Sequence, residues 1–302
     1  MNSLTTVRGK DIKIQGRLLR IARLERERYE GLADPEAVLD GLRRCAYKAD
    51  LFTFMQRLPE TSPKYSYPME WDNLAVLPIS TFDHWWKKQI DNKTRNMVRK
   101  AEKSGLALRE VPFGDTLVRG IWEIYNESRF RQGKRFPHYG KGITTVHREE
   151  ATHLDHSIFI GAFLEGEMIG FIKLIEDDAR KETNLINIVS LIRHRDKAPT
   201  NALIAAAVRA CADRGIPYLV YSKFSYGKRQ RDTLSDFKHN NGFKRIDLPR
   251  YFVPLSLFGR AAFRLGLHHR FYDRVPGSVA TKFRALRATW RNRKLRSMME
   301  AL

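Results

Sequence analysis

SIFIGAFLEGEMIGFIKLIEDDARKETNLINIVSLIRHRDKAPTNALIAAAVRACADRGIPYLVYS, residues Ser157 to Ser222, is the stretch that sorts this chain among fold classes. Ser157–Leu164 and Met168–Glu176 are apolar runs of strand length, and Glu165-Gly166-Glu167 between them reads as a hairpin turn. Thr183–Ile192 is a third strand and Arg193–Pro199 a polar loop. Thr200–Arg214 has the spacing of a helix, closed by Gly215, and Pro217–Ser222 returns as a strand. A meander followed by one strand–helix–strand crossover is neither a doubly wound sheet nor an all-β barrel. The expected fold class is α/β, with a mixed α+β sheet.

The same reading extends outward. Asp11–Leu24 alternates as a strand does. Asp34-Pro35 opens a helix through Arg44, with Asp as cap and Pro in the first turn. Leu51–Leu58 and Asn73–Ile79 read as strands, separated by a proline-punctuated loop, Pro59–Pro68. Ser80/Thr81 caps a helix through Ile90, and a basic helix, Thr94–Ser104, stops at Gly105. Leu106–Pro112 is a strand. Asp115–Arg131 is a helix with Leu117, Val118, Ile121, Ile124 and Tyr125 inward. Gly133–Gly142 is a loop, Thr144–His156 a polar helix, Asp232–Asn240 a short helix, and Phe243–Leu255 a strand pair or one long bent strand. This predicts a mixed segment over 1–80, a main domain over 81–255 and a basic helical tail over 256–302.

Composition narrows the class of function. The 302 residues are 42% hydrophobic and 29% charged, enough apolar matter for a core, which excludes a disordered chain. A membrane span needs roughly 20 apolar residues. The longest uncharged apolar runs, such as Thr183–Ile192, are about half of that, so no transmembrane helix is expected. The start, MNSLTTVRGKDIKIQG, lacks the apolar segment of a secretory signal, so a cytoplasmic location is expected. Cys45 and Cys211 read as small buried hydrophobes, and no metal site is expected. His147, His153 and His156 near Glu149-Glu150, and the pair His268-His269, read as surface histidines. The formal charge is +21, which draws polyanions: nucleic acid, phosphorylated substrates or an anionic membrane face. Basic residues cluster in Lys87–Lys103, in Lys223–Lys244 and from Ser256 to Leu302, where nine Arg and two Lys face two acids.

The element order resembles the GNAT acyltransferase fold, and three stretches resemble its FemAB-like branch, whose members transfer acyl or aminoacyl groups. FDHWWKKQIDNKTRNMVRKAEKSGLAL (Phe82–Leu108) is similar to that branch's aromatic helix and Arg-Asn-x-x-Arg-Lys-Ala-x-Lys-x-Gly passage. APTNALIAAAVRACADRGIPYLVYS (Ala198–Ser222) is similar to its donor-side helix and following strand. DTLSDFKHNNGFKRIDLPRYFVPL (Asp232–Leu255) is similar to its x-Phe-Lys-x-x-x-Gly-Phe helix and closing strand. Together they span about residues 70–255. The resemblance implies a sheet that opens between Thr183–Ile192 and Pro217–Ser222, with the donor lying in the opening and its phosphates on the start of the Thr200 helix.

The residues bear on that chemistry directly. The turn Arg193–Asn201 has no glycine, so backbone approach to a pyrophosphate is restricted; Arg195, Lys197, Thr200 and Asn201 can offer charged and polar contacts instead. Ser190 and Ser222 complete the expected donor-binding set. Tyr221 is the expected general acid, Glu176 the expected base and Asn187 a polar group in the opening. Arg95, Arg99 and Lys103 give the basic helix either an anion-facing or a merely solvated side. In the tail, Val279, Phe283, Leu286 and Trp290 form an apolar stripe beside Arg284, Arg287, Arg291 and Lys294, a surface for docking on the domain, on an anionic membrane or on nucleic acid. The expected activity is transfer of an acyl group from acyl-CoA, as co-substrate, to a small-molecule or lipid-linked amine. The alternatives are aminoacyl transfer from tRNA, and a non-catalytic module binding RNA or an anionic membrane, with a peripheral place on the inner membrane face expected for the tail-bearing chain.

Overall fold

The computed structural model describes residues 2–46, 48–225 and 233–269. In chain order its strands are β1 (Asn2–Val7), β2 (Lys10–Gln15), β3 (Ile21–Leu24), β4 (Leu51–Met55), β5 (Met69–Pro78), β6 (Ala107–Glu110), β7 (Phe130–Arg131), β8 (Lys134–Arg135), β9 (Ser157–Leu164), β10 (Glu167–Glu176), β11 (Glu182–Ser190), β12 (Tyr218–Val220) and β13 (Lys244–Pro254). The helices are α1 (Pro35–Arg44), α2 (Phe82–His84), α3 (Asn92–Lys103), α4 (Asp115–Asn126), α5 (Ile143–Glu150), α6 (Pro199–Asp213), α7 (Thr233–Asn240) and α8 (Leu257–Arg264). Eleven strands make one mixed sheet, ordered β1-β2-β3-β4-β13-β5-β12-β11-β10-β9-β6.

Local chemistry explains most of the element ends. The Asp34 carboxylate accepts from Ala37 N at 3.0 Å with Pro35 next in line, so α1 starts where expected. Glu165 and Gly166 take φ of 50° and 86°, the left-handed turn that joins β9 to β10. The basic helix begins two residues early because Asp91, not Thr94, caps it: its Oδ1 accepts from Thr94 N at 2.7 Å. The Thr81-capped helix is three α residues followed by one wider π turn, Trp85–Gln89, which seats the fully buried Trp85 with its indole N–H on Asn241 O. The helix expected over Asp115–Arg131 stops at Asn126, and the residues beyond it form the small β7–β8 pair. The helix expected to reach His156 stops at Glu150, and His153 turns left-handed. Asp11–Leu24 is two strands, broken at Gly16, where a Cβ would fall 1.9 Å from Leu19 O. The expected polar loop after β11 holds a short 3-10 turn, Ile192–Lys197, and the closing segment is one eleven-residue strand, β13.

Residues 1–80 supply β1 to β5, and β5 lies inside the sheet between β13 and β12. One apolar cluster packs β1–β4 and β13 against α1, with Phe52, Phe54 and Tyr251 at its centre. The larger one packs β9–β12 against α3, α4 and α6. The apolar and basic stripes expected over 279–294 lie outside the described residues, as does part of the Lys223–Lys244 cluster.

The sheet changes partners at β12. β11 and β12 run parallel and pair over three positions, Glu182 with Tyr218, Thr183 with Leu219 and Asn184 with Val220. After Val220 the chain stays with β5: Tyr221 N donates to Ala75 O and Ala75 N to Ser222 O, both at 2.8 Å. β11 instead continues along β10 to Ser190. The two parallel strands therefore open into a V, and Ser222, at φ 51°, turns the chain out of it. Left-handed backbone costs a β-branched residue about 1–2 kcal/mol and glycine almost nothing. Ser222→Val is expected to be less stable than Ser222→Gly by about that amount, measured by urea denaturation.

Candidate active site at the splayed strands

β11 beyond Asn184 forms one wall of the V and β12 beyond Val220 the other. No described strand pairs with the gap-facing edge of β11 past Asn184. Two faces of the sheet border the opening. On one, Gly170 and Ser190 lie beneath Leu203 of α6; a Cβ on Gly170 would meet Ser190 Cβ at 3.0 Å and Leu203 Cδ1 at 3.3 Å. On the other, Asn187 and its register partner Lys173 reach the ends of α4 and α5.

That second face holds a buried polar network that sequence reasoning misses. Glu150, 2% exposed, accepts from Tyr125 Oη at 2.9 Å and from Asn187 Nδ2 at 3.1 Å through the same Oε1. Lys173, 1% exposed, lies 3.6 Å from Glu150 Oε2 and donates to Glu150 O, Thr152 O and Thr152 Oγ1 at 2.7, 3.2 and 3.2 Å. Burial holds the Lys173 ammonium below its ordinary pKa, and the Glu150 carboxylate partly offsets this. Burial and then Glu150 push the Tyr125 hydroxyl far up, so it stays a neutral donor. The Tyr125 ring also stacks near His138, centroids 4.3 Å apart, and burial followed by Lys141 lowers that imidazole's pKa.

The turn between β11 and α6 is already supplied with an anion. Glu127, just past α4, takes Ile192 N at 2.6 Å and Arg193 N at 3.0 Å on its two carboxylate oxygens. Arg131 clamps the same turn: it pairs with Glu127 at 3.3 Å and donates to Ser190 O at 2.6 Å and Ile124 O at 2.8 Å, while its buried Nε has no hydrogen-bond partner among the described residues. Burial first, and then the nearby Arg195, lower the Arg131 pKa against the pull of Glu127. Further along the turn, His194 N and Ala198 N point back to Leu191 O and Arg195 O. Ala198 is left-handed, and Pro199 opens α6 without an N–H.

The expected site residues separate into two groups. Asn187, Ser190, Tyr221 and Ser222 line the V by their places on its two strands, and Arg195, Lys197, Thr200 and Asn201 lie on the turn and first residues of α6 that approach it. Within that set Lys197 pairs with Asp196 at 3.4 Å, and Asn201 meets the buried Asn241 at 3.4 Å. Glu176 is elsewhere. It pairs in register with Thr183, at the end where β11 and β12 are still joined, and forms ion pairs with Arg214 and Arg180 at 3.4 and 3.6 Å. The turn that seemed to present a base is a buttress for the far end of α6. Arg95 is also redirected. It donates to Trp86 O, Ile90 O and Asn92 Oδ1, satisfying carbonyls that the preceding helix end leaves open. Arg99 and Lys103 are exposed, with Arg99 5.5 Å from the Trp86 ring.

Lys238 is a second residue that the motif contains but charge counting does not single out. It is fully buried on α7, donates to Lys223 O at 2.5 Å, and stands 4.6 Å from the centre of the Tyr221 ring. Tyr221 also packs edge-on against Phe243. A buried lysine thus meets the expected acid at the β12 wall.

No known protein-family profile matches this chain, and no curated protein matches it. Solved structures do. The C-terminal domain of a protein named as a lysylphosphatidylglycerol synthetase from Agrobacterium fabrum aligns over 88% of this chain and 87% of its own, with 16% identity and a TM-score of 0.58. L-PGS from Bacillus licheniformis aligns over 89% and 90%, at 13% identity and TM-score 0.59. FemX aligns over 88% and 89%, at 11% identity and TM-score 0.59. The chain has a GNAT-like fold, with a large mixed sheet opened between parallel strands.

Removing one member of a buried charge pair costs about 3–5 kcal/mol, because the other is stranded. Lys173→Met and Glu150→Gln are each expected to lose about that much stability, and the double variant less than the sum, measured as a double-mutant cycle in urea.

Proposed function

We propose that this protein is an aminoacyltransferase that moves an aminoacyl group from the 3′ end of a tRNA to an amine, and that the amine is carried by a lipid. The observation that carries the donor assignment is the Glu127 carboxylate on the amides of Ile192 and Arg193. Those amides, with the missing N–H of Pro199 and the inward-turned amides of His194 and Ala198, are the groups a pyrophosphate would otherwise use. An aminoacyl ester on tRNA needs no such cradle at the V. It needs a cationic approach for the nucleic-acid backbone, which the +21 charge and Arg195, Lys197, Arg99 and Lys103 supply. The likeness to FemX, to L-PGS and to a domain of a protein named as a lysylphosphatidylglycerol synthetase supports the aminoacyl and lipid parts of this reading.

In this mechanism the ester carbonyl lies in the V against the open edge of β11, whose backbone N–H groups polarise it. The acceptor nitrogen attacks the carbonyl carbon. The new C–N bond forms, the ester C–O bond breaks, and the amine's surplus proton replaces the lost bond on the ribose oxygen. Tyr221 gives the leaving oxygen its proton and recovers one from the amine, with the Lys238 ammonium favouring the charge that passes through the phenol. Glu150 and Tyr125 hold the Asn187 amide nitrogen, so its carbonyl oxygen is turned to the acceptor amine. The acceptor arrives at a membrane surface. α8 carries exposed Leu257 and Phe258, with Leu265 beyond its end, beside exposed Arg260 and Arg264, the pairing of apolar and basic groups that an anionic leaflet attracts. Among the described residues no helix is long and apolar enough to cross a membrane.

The test is transfer from labelled aminoacyl-tRNA to amine-bearing lipid in anionic vesicles, with Tyr221→Phe as the variant. Turnover is expected to fall on the order of 100-fold in the variant while tRNA affinity holds, and that affinity is expected to drop steeply with salt. A melting temperature raised by acyl-CoA but not by tRNA would point instead to the acyl-CoA reaction. Binding of tRNA or vesicles with no turnover of either donor would leave a binding module.

A further inference from the structure

Glu70 is the second residue of β5, and His268 and His269 follow α8. The Glu70 carboxylate directs one oxygen, Oε1, at both imidazoles: it lies 3.0 Å from His268 Nε2 and 3.1 Å from His269 Nε2. All three ligand atoms fall within 4.8 Å of one another. The His268 side chain is 2% exposed and is held by Phe252 and Phe263, at ring centroid distances of 4.6 and 4.7 Å. Its ring lies 4.1 Å from that of His269, which is open to solvent. Side chains of neighbouring residues ordinarily diverge, so two consecutive imidazoles meeting at one oxygen is a specific arrangement.

Among the described residues, the two histidines are the only ion-pair partners of Glu70. Arg250, the backbone partner of Glu70 across β13, gives its guanidinium to Glu27 and Asp72, each at 2.9 Å. No described arginine or lysine therefore competes for the carboxylate. Two imidazole nitrogens and a carboxylate oxygen are the donor set of a zinc-class ion, and tetrahedral bonds of about 2.0–2.1 Å place ligand atoms roughly 3.3 Å apart. The spacings at Glu70 lie within a few tenths of an ångström of that.

We propose that Glu70, His268 and His269 bind one divalent ion of the zinc class and that the ion ties the segment after α8 to the start of β5. The site lies five residues along β5 from Ala75, roughly 17 Å at the rise of a strand, and so stands apart from the V. It does not rest on the aminoacyl-transfer reading. Its effect is mechanical: it fixes the chain leaving α8, whose outer side carries Leu257, Phe258, Arg260 and Arg264.

The test is titration of the chelator-treated full chain with Co2+ and then Zn2+. One Co2+ per chain is expected, with visible d–d bands that Zn2+ abolishes, and the melting temperature is expected to rise with the ion. Glu70→Gln and His269→Ala, both of which leave Phe252 and Phe263 against His268, are expected to weaken binding by about tenfold or more and to remove the bands. His156→Ala, a surface histidine elsewhere, is expected to bind as the unaltered chain does. Absence of the bands in the unaltered chain would overturn the proposal. So would unchanged binding in Glu70→Gln and His269→Ala, or an equal loss in His156→Ala.

Discussion

Three parallel pairs, Glu182–Asn184 against Tyr218–Val220, hold β11 and β12 together, and the end of that short ladder creates the site. Parallel neighbours in a continuous sheet normally stay bonded along their length, because an unpaired edge in the interior is costly. Here β12 keeps its bonds to Ala75 of β5 on one side and β11 keeps its bonds to β10 on the other. The sheet therefore stays joined while the groups of β11 that face the gap are left open. Everything assigned to the V depends on this division of hydrogen bonds: the open edge of β11, the approach of α6 and the place of the half-buried Tyr221 beside Lys238.

Electrostatics around the V are as asymmetric as its hydrogen bonding. On the α6 side, Glu127 is bound by two backbone amides and Arg131, a carboxylate built into the turn before α6. On the α4–α5 side, Lys173, Glu150, Tyr125 and Asn187 satisfy one another out of solvent. Buried networks of this kind stiffen their surroundings when every member is paired, and this one anchors the β11 wall at Asn187. The V is thus braced on both faces by charges that belong to the protein, and the cationic side chains of Arg99 and Lys103 remain exposed.

The meander, the crossover helix and the aromatic–basic helix pair are legible from the sequence because each rests on local signals: strand-length apolar runs, Glu165-Gly166, Asp34-Pro35, Gly105 and Gly215. So are Asn187, Ser190, Tyr221 and Ser222 as residues of the opening, since strand order alone puts them there. What is not legible depends on long-range pairing. Glu150 is 23 residues from Lys173 and 37 from Asn187, and nothing local marks it as their partner. Glu127 reads as one more residue of the helix expected over Asp115–Arg131 until its carboxylate is seen on Ile192 and Arg193. Glu176 misleads because strand length does not say which end of β10 faces the closed ladder. Arg95 misleads because a cap reaching backward to Trp86 and Ile90 has the same sequence appearance as a solvated basic residue.

The most direct measurement is a crystal structure of the full chain with a non-hydrolysable 3′-aminoacylamino analogue of the terminal adenosine of tRNA. The analogue's amide is predicted between β11 and β12, its carbonyl against the β11 edge past Asn184 and its ribose nitrogen near Tyr221. Density for the analogue outside the V, with β11 and β12 unchanged and nothing between them, would contradict the central claim.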